Sequence, residues 1–160
     1  MLIDGRRWRA PPAAARRIGT LTSVSESDLP EPSSTGEPPS LTILGSTVRH
    51  AVDHVEVFPA PAHVTEVRFS TDEVASVCPV TGQPDLSSVE ISYVPAEWCV
   101  ESKSLKLYLW RFRDQQVFAE ALAAEIAGEI MLTAAPNRVT VRITQRPRGG
   151  ITLTALAELP

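Results

Sequence analysis

The run Cys78-Pro79-Val80-Thr81-Gly82-Gln83-Pro84-Asp85 puts a thiol and a carboxylate on one short loop, which its prolines and glycine keep from becoming helix or strand. That pairing is a nucleophile beside a proton source. A free thiol ionises only near pH ~8.5, so a reactive Cys78 needs a nearby base or the positive end of a helix to lower its pKa. A second run, Glu101-Ser102-Lys103-Ser104-Leu105-Lys106-Leu107-Tyr108-Leu109-Trp110, follows at about the distance one intervening strand requires. The two runs are therefore expected to meet at one site. Glu101, Ser102 and Lys103 fall where a helix should begin, and free amides there can receive an acceptor or a phosphate.

These residues need elements to hold them. His63 to Ser70 alternates Val64, Glu66 and Arg68 against Thr65, Val67 and Phe69, the pattern of a half-buried strand. Beyond the cysteine loop, Val89, Ile91 and Tyr93 share one face and Glu90 and Ser92 the other, until Pro95 closes the strand. The spacing of Leu105, Tyr108, Leu109 and Phe112 predicts a helix over Ser102 to Arg113, with Ser102 as its N-cap. A further helix from about Gln116 aligns Phe118, Leu122, Ile126 and Ile130 toward a sheet. It leaves Glu120 off that stripe and Glu125 and Glu129 as solvated glutamates. Pro136-Asn137 ends it. Val139, Val141 and Ile143 then alternate with Arg138, Thr140 and Arg142 in a third strand, Arg146 to Gly150 turns, and Ile151 to Ala155 forms a fourth. The order strand, strand, helix, helix, strand, strand gives an α+β domain, an antiparallel sheet covered on one side by two helices.

A chain of 160 residues is one ordinary domain, large enough to bury a single core, and residues 41–160 carry it. Residues 1–40 differ in character. Arg6, Arg7, Arg9, Arg16 and Arg17 precede Glu26, Asp28, Glu31 and Glu37 among Pro, Ser, Thr and Gly, with too little apolar surface to offset ordering entropy. The expectation is a flexible tail, with a start codon set too far upstream as the alternative. The formal net charge of −4 argues against a nucleic-acid partner, which would call for a basic face. Nothing approaches the roughly 18 apolar residues of a membrane span, and the Arg-rich start lacks the apolar stretch of a secretory signal. The expected compartment is the cytoplasm, where Cys78 and Cys99 stay free thiols. The histidines and cysteines show no zinc-ligand spacing, so no metal is expected.

Three ordered motifs carry a family resemblance: Leu41-Thr42-Ile43-Leu44-Gly45, the cysteine loop with the Glu101–Lys106 string, and Pro147-Arg148-Gly149-Gly150-Ile151. They resemble the NADPH-dependent nitrile reductases of the queuosine pathway, the QueF type, which convert 7-cyano-7-deazaguanine to its 7-aminomethyl product. The resemblance covers roughly three quarters of the chain. It implies the tunnelling fold, in which sheets of several subunits close into a barrel with sites between subunits, and in which single-module members stack two pentamers. A sheet with open edges gains from such closure.

The resemblance also implies roles. Cys78 would add to the nitrile carbon to form a covalent thioimide, and Asp85 would protonate the nitrogen. Val100, Glu101 and Ser102 would contact the purine-like substrate. Glu120 would accept from two adjacent N–H groups of its guanine-like edge. Ser102, Lys103, Lys106, Arg148 and Gly149 would hold NADPH, the cations meeting its extra phosphate. No Rossmann glycine fingerprint occurs, and the family needs none.

Two positions depart from the pattern. The family usually has His before that glutamate, and this chain reads Phe118-Ala119-Glu120, so Ala119 stands at a substrate-contact position without an imidazole. A general acid–base group is worth about 100- to 10,000-fold, so its loss implies slow reduction or binding without turnover. Leu122 replaces a family cysteine that can pair with the position of Cys78. Competing expectations follow. A zinc-dependent branch of the fold opens a pterin precursor ring, but the ligand set is missing here. QueF-like amidinotransferases share the thioimide and add ammonia, yet tend to lose the NADPH signature that Glu101–Lys106 keeps. A non-catalytic deazapurine-binding module is the third alternative, resting on Ala119.

Overall fold

The computed structural model describes residues 41–160. The stretch expected to be a tail, 1–40, lies outside the described residues. The elements are β1 (Val57–Pro59), β2 (Val67–Val77), β3 (Pro84–Val94), β4 (Trp98–Val100), α1 (Ser102–Trp110), a 3-10 turn (Arg111–Asp114), α2 (Ala119–Ala134), β5 (Arg138–Arg148) and β6 (Ile151–Leu159). Strands β2-β3-β5-β6 form an antiparallel sheet in that order, and β1 and β4 pair separately. Both helices share one core on one face of the larger sheet, as the α+β expectation required. The sheet is open in the single chain, with β2 and β6 as its edges.

Alternation builds the core. Val89, Ile91 and Tyr93 of β3 and Val139, Val141 and Ile143 of β5 are all at most 2% exposed. Leu122, Ile126 and Ile130 of α2 pack on them, with Ala123 and Ala127 letting the helix approach closely. Burying each of the larger side chains is worth about 1.5–3 kcal/mol. Phe118 does not join that stripe. It is exposed and takes the extended N-cap position, so α2 starts at Ala119 rather than near Gln116.

Other boundaries shift for local reasons. The first large strand starts at Val67, not His63, because the Val64 amide bonds back to Pro61 and His63 has φ +71° in a turn. The N-cap of α1 is Glu101 rather than Ser102: its carboxylate accepts the Lys103 and Ser104 amides at 2.8 and 2.7 Å. The last strands extend further than expected because Arg148 pairs with Ile151 across Gly149 and Gly150. Their φ values of +57° and +80° suit the tight hairpin only glycine enters freely.

Candidate active site

The cysteine run closes the β2–β3 hairpin. Val77 pairs with Pro84, the Cys78 amide donates to Gln83 O at 2.8 Å, and the Gly82 amide donates to Cys78 O at 2.9 Å. Gly82, at φ +68°, makes the reversal. Asp85 is therefore not on the loop, as the sequence suggested, but inside β3 opposite Ser76. The strand's inward face reads Tyr93, Ile91, Val89, Ser87, Asp85, all buried, so its apolar side turns polar toward the cysteine end. Ser76 of β2 is buried at that end as well. These inward hydroxyls were missed, although continuing the β3 alternation back past Val89 would have found Ser87.

Cys78 is 8% exposed and its pKa falls to about 7. The Thr81 side chain is the largest cause, followed by the Thr81 and Val80 amides and Arg148, against a smaller opposing effect of burial. Arg148 reaches inward from the end of β5, its Nη2 2.5 Å from Asp85 Oδ1 and its Nη1 3.4 Å from Gln83 Oε1. Asp85 Oδ1 is buried, and this guanidinium is its charged partner, close enough for an ion pair though not aligned as a hydrogen bond. Arg148, expected beside a cofactor, thus meets Cys78 and Asp85. Gly149 follows it in the turn.

Chain segment 115–117 lies along the other side of this corner. The Val77 amide donates to Gln115 O at 2.9 Å and Val77 O accepts from the Val117 amide at 3.2 Å. This sets the start of α2, with buried Ala119 and exposed Glu120, after the strip that flanks the cysteine loop. Glu120 has no hydrogen-bond or ionic partner among the described residues. Glu125 and Glu129, expected to be solvated, are both engaged: Glu125 pairs with Arg111, and Glu129 accepts the Val55 amide at 2.9 Å.

Val100, Glu101, Ser102, Lys103 and Lys106 lie elsewhere. Val100 pairs with Val57 and donates its amide to the Tyr93 hydroxyl, and Tyr93 faces Val67 at the opposite end of the hairpin. Ser102 and Lys106 line a cleft of about 460 Å³ between α1 and β2, beside Phe69, Thr71 and Val74. Along β2 that cleft wall runs from Phe69 to Val74, roughly 30 to 13 Å of strand short of Cys78 at the usual rise. The two runs expected to meet at one site therefore do not meet within one chain. Cys99 is also remote from Cys78, and both thiols are free. Among the described residues, no cluster of three His, Cys, Asp or Glu could hold a metal, and no helix is long and apolar enough to cross a membrane. His50 and His54 line a separate cleft with Arg111 and Gln115, and His63 sits in its exposed turn.

Fold and site together define an α+β domain that presents a cysteine of lowered pKa and a buried aspartate, both met by Arg148. A family model described as QueF-like protein matches residues 84–159. The chain is 47% identical over 93 residues to the NADPH-dependent 7-cyano-7-deazaguanine reductase of Anaeromyxobacter sp. strain Fw109-5, covering 58% of this chain and 76% of that protein. It is 40% identical over 116 residues to the protein of the same name from Frankia casuarinae, covering 72% of this chain and 93% of the relative. The crystal structure of the archaeosine synthase QueF-Like in the apo form shares the fold, with a TM-score of 0.56 at 23% identity over 59% of this chain and 92% of that one. The chain belongs to the family of NADPH-dependent 7-cyano-7-deazaguanine reductases.

Proposed function

We propose that this chain reduces the nitrile of 7-cyano-7-deazaguanine to the aminomethyl group through a thioimide on Cys78, using NADPH in the cytoplasm. The observation that carries this is the Cys78 thiol, its pKa lowered to about 7 by Thr81 and the loop amides at the corner where Arg148 meets Asp85, in a member of this reductase family. Asp85 takes the thiol proton as Cys78 adds to the electrophilic nitrile carbon, and passes it to the nitrogen, which gains charge as one π bond opens. Arg148 holds Asp85 in place and favours the thiolate. Glu120, without a partner among the described residues, accepts from the guanine-like edge of the substrate, with Val100, Glu101 and Ser102 completing the pocket and Ala119 leaving the usual histidine position without a titratable group.

The donor set suits a phosphate-bearing cofactor. Lys106 and Ser102 border one cleft, the Lys103 ammonium is held at the 42–46 turn by Ile43 O and Ser46 O, and Arg148 has guanidinium donors beyond the one facing Asp85. NADPH, when bound, supplies the hydride equivalents. Ser102, Lys103, Lys106, Arg148 and Gly149 hold its polar groups.

The same geometry supports a homo-oligomer. The thiol and the α1 cations lie apart in one chain, and β2 and β6 are open edges. A site drawing on both ends takes them from adjacent subunits, as in a closed barrel of stacked rings.

The test is NADPH oxidation on adding 7-cyano-7-deazaguanine, with Cys78→Ala as control. Consumption of two equivalents per nitrile, lost in the control, is expected. No consumption by folded protein that binds the substrate would reject the reductase and leave amidine formation or binding alone.

A further inference from the structure

Glu56 is a carboxylate 7% exposed that the reaction above does not use. Its Oε1 accepts from the Thr42 amide at 2.7 Å, the Thr42 hydroxyl at 2.6 Å and the Ile43 amide at 2.9 Å, while Oε2 lies 3.1 Å from the same Ile43 amide. Its backbone is equally committed. The Glu56 amide donates to Ser104 Oγ at 2.9 Å, and Glu56 O accepts from the Glu101 amide at 2.8 Å. One residue thus joins the turn at 42–46 to the first turn of α1.

The turn answers back through Lys103. Its ammonium donates to Ile43 O at 2.8 Å and to Ser46 O, the two carbonyls of a turn closed by the Ser46 amide on Ile43 O. An ammonium has three N–H donors, so two are spent on the turn and one remains. Lysine otherwise carries a mobile charge on a long stem and pays rotamer entropy each time it is fixed. A turn that fixes Lys103 beforehand removes that cost from cofactor binding.

The geometry points to Glu56 as a positioning residue for the cofactor: by anchoring the 42–46 turn it fixes the Lys103 ammonium with one donor left for a phosphate. This rests on the assignment of Lys103 to the NADPH site. Glu56 itself touches neither cofactor nor substrate.

The experiment measures NADPH affinity without turnover, by fluorescence titration of the Cys78→Ala protein carrying Glu56→Gln, Lys103→Ala or both. Glu56→Gln is expected to weaken NADPH binding about five- to twentyfold, the scale of one lost positioning hydrogen bond. It should add nothing once Lys103 is Ala. Substrate affinity should be unchanged. Where Glu56→Gln fails to fold, Thr42→Val removes one donor to the same carboxylate and should show about a two- to threefold version of the pattern. Equal weakening with or without Lys103, or weakening by Lys103→Ala alone, overturns the inference and leaves the cofactor site standing. No effect of Lys103→Ala overturns the cofactor assignment of Lys103 and the inference with it.

Discussion

Arg148 Nη2 stands 2.5 Å from Asp85 Oδ1, tying the end of β5 to the start of β3 at the mouth of the cysteine loop. The same guanidinium helps stabilise the Cys78 thiolate, after the larger contribution of Thr81. Thr81→Val should therefore raise the Cys78 pKa from about 7 toward the ordinary thiol value near 8.5, and Arg148→Met should raise it less. The rate of iodoacetamide alkylation against pH reads this directly. In the parent protein it should rise through pH 7 and level off. Unchanged midpoints in both variants would contradict the account.

Acid should release the 42–46 turn. Burial acts to raise the Glu56 pKa, but bonds from the Thr42 hydroxyl and the Thr42, Ile43 and Leu44 amides more than offset it and hold the value below the usual 4.5. A carboxyl depressed on folding contributes stability that is present above its unfolded pKa and is lost as pH falls through the folded one. Amide exchange at Thr42 and Ile43 should therefore accelerate as pH drops below 4.5 by more than intrinsic chemistry allows. Constant protection factors across that range would show that the turn does not depend on the charge.

Helix α2 ends at Ala135 with φ +42° and ψ +50°, a left-handed cap in which its amide bonds Met131 O. Alanine pays a Cβ penalty there that glycine avoids. Ala135→Gly should stabilise the domain by about 0.5–1 kcal/mol in urea unfolding, despite the greater freedom glycine has when unfolded. A loss of stability would mean that the cap relaxes elsewhere.

If sites form between subunits, two dead proteins should rescue each other. Cys78→Ala and Lys103→Ala, each purified, unfolded, mixed and refolded together, should regain part of the NADPH oxidation that neither shows alone. Failure to recover activity in mixed oligomers would place the thiol and Lys103 of each site on one chain.

Much of this architecture was legible. Val139, Val141 and Ile143 alternate without interruption, and Leu122, Ile126 and Ile130 keep helical spacing, so period and burial agreed. The errors arose where a side chain competes with the pattern. Glu101 outcompetes Ser102 as N-cap because its longer carboxylate reaches two amides. Asp85 was assigned to a loop because Pro84 suggested a break, yet proline is tolerated as the first residue of a strand. The β1–β4 pair was unreadable, since three-residue strands carry no period. Distance along the chain was a poor guide to the site: the Glu101–Lys106 string follows β3 closely in sequence, but β3 has by then carried the chain to the far end of the hairpin.

The inward row of β3, from Tyr93 to Asp85, also records a compromise. Three positions contribute to the core, whereas Ser87 and Asp85 bury polar groups that a leucine or valine would replace with firmer packing. On the proposed mechanism Asp85 is kept here against the preference of the fold. A library selected for thermal resilience alone would drift toward apolar residues at those two positions, and on that mechanism the loss of Asp85 would leave sturdier, inert proteins.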